Sequence, residues 1–424
     1  MIVVSVASGT SADGIDVGVV GFGPAGGEQL EVEVLDARTA PWPRGLRERL
    51  LALLPPGRTT AAELCSLDTE VGQALAAVAA TACRWLADRG ATADLVVSPG
   101  QTVHHEVVDG HCLGTLQIGQ PAWIAEATGL PVLSDLRARD VAGGGHGAPL
   151  AGVLDALWLG PVTAGPRVAV NLGGIANLSV VTSTGVEAWD TGPANCLLDV
   201  AAARASAGRL THDVDGALAA AGTCDPALLD RLRAHPFLRA APPKSTGRET
   251  FSESWLDGVL DAHLLDGVLT RERRPLRWPD VLATLVELTA STVAEAVTPR
   301  GPAEVVVSGG GARNPVLMAA LGRHLDGVPV VTSEHHGLPA DGKESVLWAL
   351  LGWLAWHGVP VTTGEHRPRV PGRFSPGAHG LGLPPPLAAA TWPVRLSVRA
   401  CGGPGTADAR DERDEYERDT SEVV

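Results

Sequence analysis

Short apolar runs closed by small polar residues alternate along this chain with longer stretches whose apolar positions recur at helical spacing. Ile2-Val-Val-Ser-Val-Ala7 predicts a buried strand. Ser8-Gly-Thr-Ser-Ala-Asp-Gly14 predicts a turn, and Ile15-Asp-Val-Gly-Val-Val20 the return strand of a hairpin. Leu30-Glu-Val-Glu-Val-Leu35 predicts a third strand, Thr60 to Arg89 a long helix, and Asp94-Leu-Val-Val-Ser98 and Pro131-Val-Leu-Ser134 two more short strands. From about residue 140 the plan repeats, with strands near 167, 176, 186, 304 and 328 and helices between them. A helix from Gly342 to His357 is placed to return toward the first part. Such alternation predicts an α/β protein with helices packed on mixed sheets. A chain of 424 residues is too long for one ordinary core and predicts two domains, 1–138 and 139–358. Residues 359–424 are rich in Pro and Gly and then charged, which predicts a largely disordered tail.

The chemistry gathers at the turns. Arg167-Val-Ala-Val170 runs into Asn171-Leu-Gly-Gly-Ile-Ala-Asn177, where adjacent glycines let the backbone turn tightly and present its N–H groups to a phosphate. Asp190 follows a second strand-like run, and Thr191-Gly-Pro193 after it predicts a helix start with Pro near the first helical position. Glu304-Val-Val-Val-Ser308 leads into Gly309-Gly-Gly-Ala-Arg-Asn314 and an apolar helix from Pro315. A glycine-rich turn with a carboxylate at a strand end is the layout of a kinase or ATPase. Walker A spacing is absent, as is GxGxxG after the first strand, so P-loop and Rossmann readings lose ground.

Eight segments in order make this layout specific. They are Ser8 to Gly14, Gly100-Gln-Thr-Val-His104, Thr115-Leu-Gln-Ile-Gly119, Gly145-His-Gly-Ala-Pro149, Asn171 to Asn177, Asp190 to Asn195, Pro242-Pro-Lys-Ser-Thr-Gly-Arg-Glu249 and Ser308 to Asn314. Together they resemble the anhydro-N-acetylmuramic acid kinase family of the sugar kinase, Hsp70 and actin superfamily. Departures are Ala7 and Ala12 for Met and Leu, Pro99 for His, His146 for Gln, Ser345 for Ala, and a poor match after about residue 365. The resemblance implies two ribonuclease-H-like (actin-like ATPase) domains with a cleft between them. It implies that water opens a 1,6-anhydro amino sugar while ATP phosphorylates O6. On the same basis Asp190 is expected to be the base; Glu344 reads equally as a residue that orients the sugar or assists the acid–base step and as an ordinary acid in the first turn of a helix. ATP is expected at Gly9, Thr10, Ser11, Ala12, Asp13, Gly14, Ile15, Asp16, Asn171, Gly173, Gly174, Asn177, Gly309, Gly310, Gly311 and Asn314. Sugar is expected at Gln101, Thr102, His104, Gln117, Gly119 and Asn195. Asp13 is the expected contact to the water shell of Mg²⁺, which takes few carboxylates and several waters. A homodimer is what the resemblance suggests.

Charge and cysteines narrow the partners. A net charge of −15 argues against nucleic acid and anionic membrane, while amides and Mg²⁺ still let an acidic protein hold ATP. Six cysteines without CxxC pairing predict reduced thiols and a cytoplasmic protein. No leader is apparent, and no run reaches the ~18 apolar residues of a membrane helix. His104-His105 and His335-His336 lack spaced Cys or acidic partners, which disfavours a metal site. Arg137-Ala-Arg139-Asp140 reads equally as a solvated charge run or as part of a loop lining a cleft. Two other classes stay open, a non-catalytic sugar- or nucleotide-sensing protein and an actin-like ATPase of assembly.

Overall fold

The computed structural model describes the chain except residues 10–11, 55–56, 109–110, 149, 164, 270–275, 341, 363–366 and 401–424. An antiparallel meander opens each half. In the first, β1 (Ile2–Ser8), β2 (Ile15–Phe22) and β3 (Gln29–Ala40) pair in sequence. β4 (Leu95–Val108) lies parallel to β1 and carries a hairpin partner, β5 (His111–Ile118), and β6 (Val132–Ser134) lies parallel to β4. In the second half β7 (Arg167–Leu172), β8 (Ile175–Thr182) and β9 (Gly185–Pro193) form the meander, and β10 (Glu304–Ser308) and β11 (Val330–Thr332) follow parallel on the β7 side. The strand orders β6-β4-β1-β2-β3 and β11-β10-β7-β8-β9 are the same plan twice. That is the pair of ribonuclease-H-like sheets expected.

By its contacts the chain divides into Met1–Leu150 with Glu344–Val424, and Ala151–Lys343. The sequence puts the boundaries at 138 and 358 and lets the helix Gly342 to His357 return toward the first part; by contacts they fall at Leu150 and Lys343, and the helix Lys343–Trp356 lies with the first sheet. That helix is apolar on every side, with Val346, Leu350, Leu351, Trp353 and Leu354 all buried, and it belongs to the first unit. Gly352 faces Val97 of β4, Ser5 Oγ donates to Ser345 O at 2.9 Å, and Gly18 of β2 lies against Ser345. Small residues on both sides bring helix and sheet close.

Two further expectations need correcting. The tail was expected to be disordered from 359, yet β12 (Arg373–Ser375) pairs antiparallel with β6, and β13 (Arg395–Ala400) pairs parallel with β3. Open sheet edges take up backbone hydrogen bonds whatever the Pro and Gly content around them. The part of the tail from 401 onward lies outside the described residues. A second correction concerns apolar length. Trp278–Arg300 is long and apolar enough to cross a membrane, but it is the central helix of the second unit, with Leu282, Leu285, Leu288, Val293 and Val297 in the core. Its buried hydroxyls are satisfied locally: Thr284 Oγ1 donates to Asp280 O at 2.7 Å, and Thr289 Oγ1 donates to Leu285 O and to Pro193 O.

A branched side chain at Gly352 has no room against Val97. Gly352→Val should therefore lower unfolding free energy by roughly 1–3 kcal/mol through overpacking. Urea unfolding followed by tryptophan fluorescence reads it, since Trp348 and Trp353 flank the site. A midpoint equal to that of the unaltered chain would show that the helix packs less closely than described.

Candidate active site

In the second unit the acid is aimed by a strand irregularity. Along β8 and β9, Ala176 pairs with Gly192 but Asn177 with Asp190, so Thr191 is an extra residue. A bulge of this kind re-aims the neighbouring side chain. Thr191 Oγ1 donates to Ala176 O at 3.2 Å and fixes the bulge. The strand therefore runs on through Pro193, and the helix begins at Asn195, not at the Thr191-Gly-Pro193 start expected from sequence. The loop Lys244–Glu249 closes over Asp190. The backbone N–H of Asp190 donates to Lys244 O at 3.1 Å, Ser245 Oγ donates to Asp190 Oδ2 at 2.9 Å, and the Thr246 N–H donates to the same oxygen at 2.8 Å. Burial pushes the Asp190 carboxyl above its ordinary range against the opposing pull of these two hydrogen bonds. Glu249 adds to the rise, and Lys244 works slightly against it.

The same unit assembles the glycine turns. Gly173 and Gly174 form the two-residue turn between β7 and β8. The N–H groups of Ala194 and Cys196 donate to Gly174 O, and that of Asn195 to Gly173 O. Asn195 Nδ2 donates to Leu172 O at 3.0 Å and lies beside Gly310 and Gly311. Gly309 adopts φ 82° against Asn171 Oδ1 and Leu172, a close approach that only glycine allows. Asn171, Gly173, Gly174, Asn195 and Gly309 to Gly311 are thus neighbours, and Asn177 lies opposite Asp190 on β8. Asn195, expected at the sugar, sits with the glycine turns. Asn314 is committed to capping the helix Pro315–His324, accepting from the N–H groups of Val316 and Leu317.

The first unit holds the remaining positions. Thr10 and Ser11 lie outside the described residues. Ala12 is buried at φ 49°, and its carbonyl accepts from Arg47 Nε at 2.9 Å. Arg47 also pairs with Asp13 Oδ1 at 3.1 Å. Gly14 and Ile15 are buried, and Asp16 accepts from Thr39 Oγ1 at 2.6 Å. Buried Gln101 donates to Gly9 O at 3.1 Å, which ties the β4–β5 hairpin to the first turn; its Oε1 has no partner among the described residues. Thr102 and Gln117 pair across that hairpin, Gln117 Nε2 donating to Thr115 Oγ1 at 2.7 Å. His104 is exposed on β4, and the Gly119 N–H donates to Asp68 Oδ1 at 2.7 Å. Pro99 is accommodated because β4 carries an extra residue between its pairings with Ser5 and Ala7.

Glu344 opens the returning helix. Its side chain is open to solvent, yet protein crowds it so closely that desolvation raises its pKa, with Asp16 adding to the rise and Arg137 opposing it. Arg137 donates to Gly147 O at 2.8 Å and lies over the Trp348 ring at 5.4 Å, so it is a built-in cation rather than a solvated one. Sequence reasoning missed Ser245, Thr246 and Arg47 as partners of the key acids; the Lys-Ser-Thr-Gly-Arg motif was the available signal for the first two. His336 does have an acidic partner, Glu304 at 2.9 Å. Asp13 offers one partly exposed carboxylate, which fits the outer water shell of Mg²⁺ rather than a protein cage.

The family model described as anhydro-N-acetylmuramic acid kinase matches residues 1–376. The chain belongs to this family. A curated anhydro-N-acetylmuramic acid kinase of Streptomyces avermitilis is 50% identical over 401 residues, covering 93% of this chain and 99% of that one. A Streptomyces coelicolor relative of the same description is 46% identical, covering 95% and 100%. One from Rhodococcus erythropolis is 44% identical, covering 90% and 96%. A solved ROK family glucokinase from Streptomyces griseus, in complex with glucose and AMPPNP, is 14% identical, covers 83% of this chain and 99% of that one, and has a TM-score of 0.33, too low to carry an argument. Neither the sensing reading nor the assembly ATPase is favoured.

A Cβ at Gly174 would meet the Arg248 guanidinium, 2.7 Å from Nε, and a flexible side-chain end moves aside cheaply. Gly174→Val should therefore change stability by no more than about 0.5 kcal/mol. It should weaken ATP binding at least about tenfold if phosphate approaches this backbone. Calorimetric titration beside a melting curve separates the two, and unaltered ATP affinity would remove the turn from the phosphate site.

Proposed function

We propose that this kinase opens 1,6-anhydro-N-acetylmuramic acid with water and phosphorylates its O6 from ATP, with Asp190 as the base. The products are N-acetylmuramate 6-phosphate and ADP, a step of cell-wall peptidoglycan recycling. The observation that carries the reading is Asp190, aimed by the bulge at Thr191, held by Ser245 and Thr246, and raised by burial toward the range in which a base works. Water adds to the anomeric carbon as the C1–O6 bond breaks, and its proton passes to Asp190. The freed O6 forms the new bond to the γ-phosphorus as the bond to the ADP oxygen breaks, and Asp190 then releases its proton to solvent. The phosphoryl step asks for positioning and charge neutralisation, which the amides of the Gly173-Gly174 and Gly309 to Gly311 turns are placed to give. Mg²⁺, held through its water shell near Asp13, would supply further neutralisation of the phosphates.

Glu344 is proposed to assist in orienting the sugar, and Gln101, Thr102, His104, Gln117 and Gly119 to contact it from the β4–β5 hairpin. The five described cysteines are all free, which supports a cytoplasmic, reducing setting in which ATP is at hand. A homodimer belongs to the same proposal and is checked by sedimentation velocity.

Asp190→Asn keeps the shape and removes the proton acceptor. Turnover should fall by roughly 10²–10⁴-fold while ATP still binds. Because burial raises the Asp190 pKa, the folded state holds its proton more tightly than the unfolded chain does. Stability is therefore lost as pH rises from the ordinary carboxylate value through the raised one. Asn avoids that loss, so the variant should melt no lower than the unaltered chain at neutral pH. Near-full sugar phosphorylation by Asp190→Asn, measured by coupled ADP release, would refute the assignment.

A further inference from the structure

The two oxygens of Asp190 are treated differently. Oδ2 accepts both from Ser245 Oγ at 2.9 Å and from the Thr246 N–H at 2.8 Å, whereas Oδ1 has no partner among the described residues. Resting on the reading of Asp190 as base, we infer that Ser245 is a positioning residue that locks the carboxylate, so that Oδ1 is the oxygen that takes the proton from water.

Three features support this. A carboxylate free to rotate about its last torsion would present either oxygen, because that torsion is broad and two-fold. Two donors on one oxygen hold the torsion, so that one oxygen faces the loop and the other is left for water. Those donors come from consecutive residues of one loop, and that loop is itself anchored, since Lys244 O accepts from the Asp190 N–H and Lys244 Nζ donates to Phe237 O at 3.0 Å. Backbone and side chain of the acid are thus gripped by the same short segment. Finally, the chemistry favours a clamp made of neutral donors. A cation in hydrogen-bond contact would hold the carboxylate as firmly but would pull its pKa down and weaken it as a base. The charged groups that act on Asp190 are Glu249, which raises its pKa, and Lys244, which lowers it least of all. Lys244 is in turn turned toward the Phe237 ring, 4.7 Å from its centroid, and feels Glu295. Across the sheet, Asp190 pairs with the uncharged Asn177. The clamp therefore fixes geometry at a small cost in basicity.

Ser245 is exposed in a loop, so its removal should leave the fold intact. In Ser245→Ala one of the hydrogen bonds to the ionised form is lost. The acid limb of kcat/KM for the sugar should move to higher pH by roughly half a unit to one unit. At neutral pH kcat should fall by about three- to tenfold, with KM for ATP unchanged. Ser245→Thr, which keeps the hydroxyl, should restore both. The experiment is a pH series of steady-state kinetics on the full chain with Ser245→Ala, Ser245→Thr and Asp190→Asn side by side. An unmoved limb and full kcat in Ser245→Ala, with Asp190→Asn inactive, would overturn the clamp and leave the base assignment standing. A fully active Asp190→Asn would overturn the base assignment and the clamp with it. A loss in Ser245→Ala that Ser245→Thr does not restore, with the limb in place, would also overturn the clamp.

Discussion

The short link between the Gly173-Gly174 turn and the start of the helix Asn195–Ala205 governs the geometry of the second unit. That helix has no side-chain N-cap, so its first amides need other acceptors. They find them in the carbonyls of the turn, with Ala194 and Cys196 donating to Gly174 O and Asn195 to Gly173 O. The pairing commits both carbonyls of the turn to the start of the helix. It also ties the residues after β9 to the turn, a few residues from the bulge at Thr191. Asp190 thus lies beside a bulge whose following residues are held by hydrogen bonds from Thr191, Ala194, Asn195 and Cys196.

Elsewhere the molecule accepts local costs near its acids. Asp190 and Glu344 both titrate above their ordinary range, chiefly through desolvation. Asp155 is buried with its Oδ1 2.7 Å from Lys343 Nζ, the residue just before Glu344. A buried ion pair of this sort adds little net stability, because desolvating two charges offsets their attraction, but removing one partner is costly. Ala12 holds a left-handed conformation that glycine would adopt freely, and Arg47 stabilises it by binding its carbonyl and the neighbouring Asp13. The backbone strain lies at the first turn and the desolvated acids at a strand end and on helices, while the two cores are packed from apolar side chains, mostly aliphatic.

Much of this was legible in the amino-acid sequence. Apolar runs such as Ile2 to Ala7 and Arg167 to Val170 located the first strand of each unit, and paired glycines located the β7–β8 turn, because backbone bends need residues without a Cβ whatever surrounds them. The order of the motifs indicated the family. Helix starts were less legible: Pro193 was expected near the first helical position, but it pairs with Ile175 as the last residue of β9. Asn195 was expected at the sugar and Asn314 at ATP, yet Asn195 donates to Leu172 O beside the glycine turns and Asn314 caps a helix.

Sequence by itself determined the two repeated sheets, the glycine turns and the acid at the end of β9, because strand periodicity and backbone freedom are local properties. Tertiary structure alone decided how closely the helix Lys343–Trp356 packs on the first sheet, where the open edges find β12 and β13, and which oxygen of Asp190 is tethered. Each of these depends on a partner far away in the chain: Val97 against Gly352, Leu133 opposite Phe374, Ser245 against Asp190. Burial and hydrogen-bond partners of that kind are set by packing, and residue spacing along the chain does not encode them.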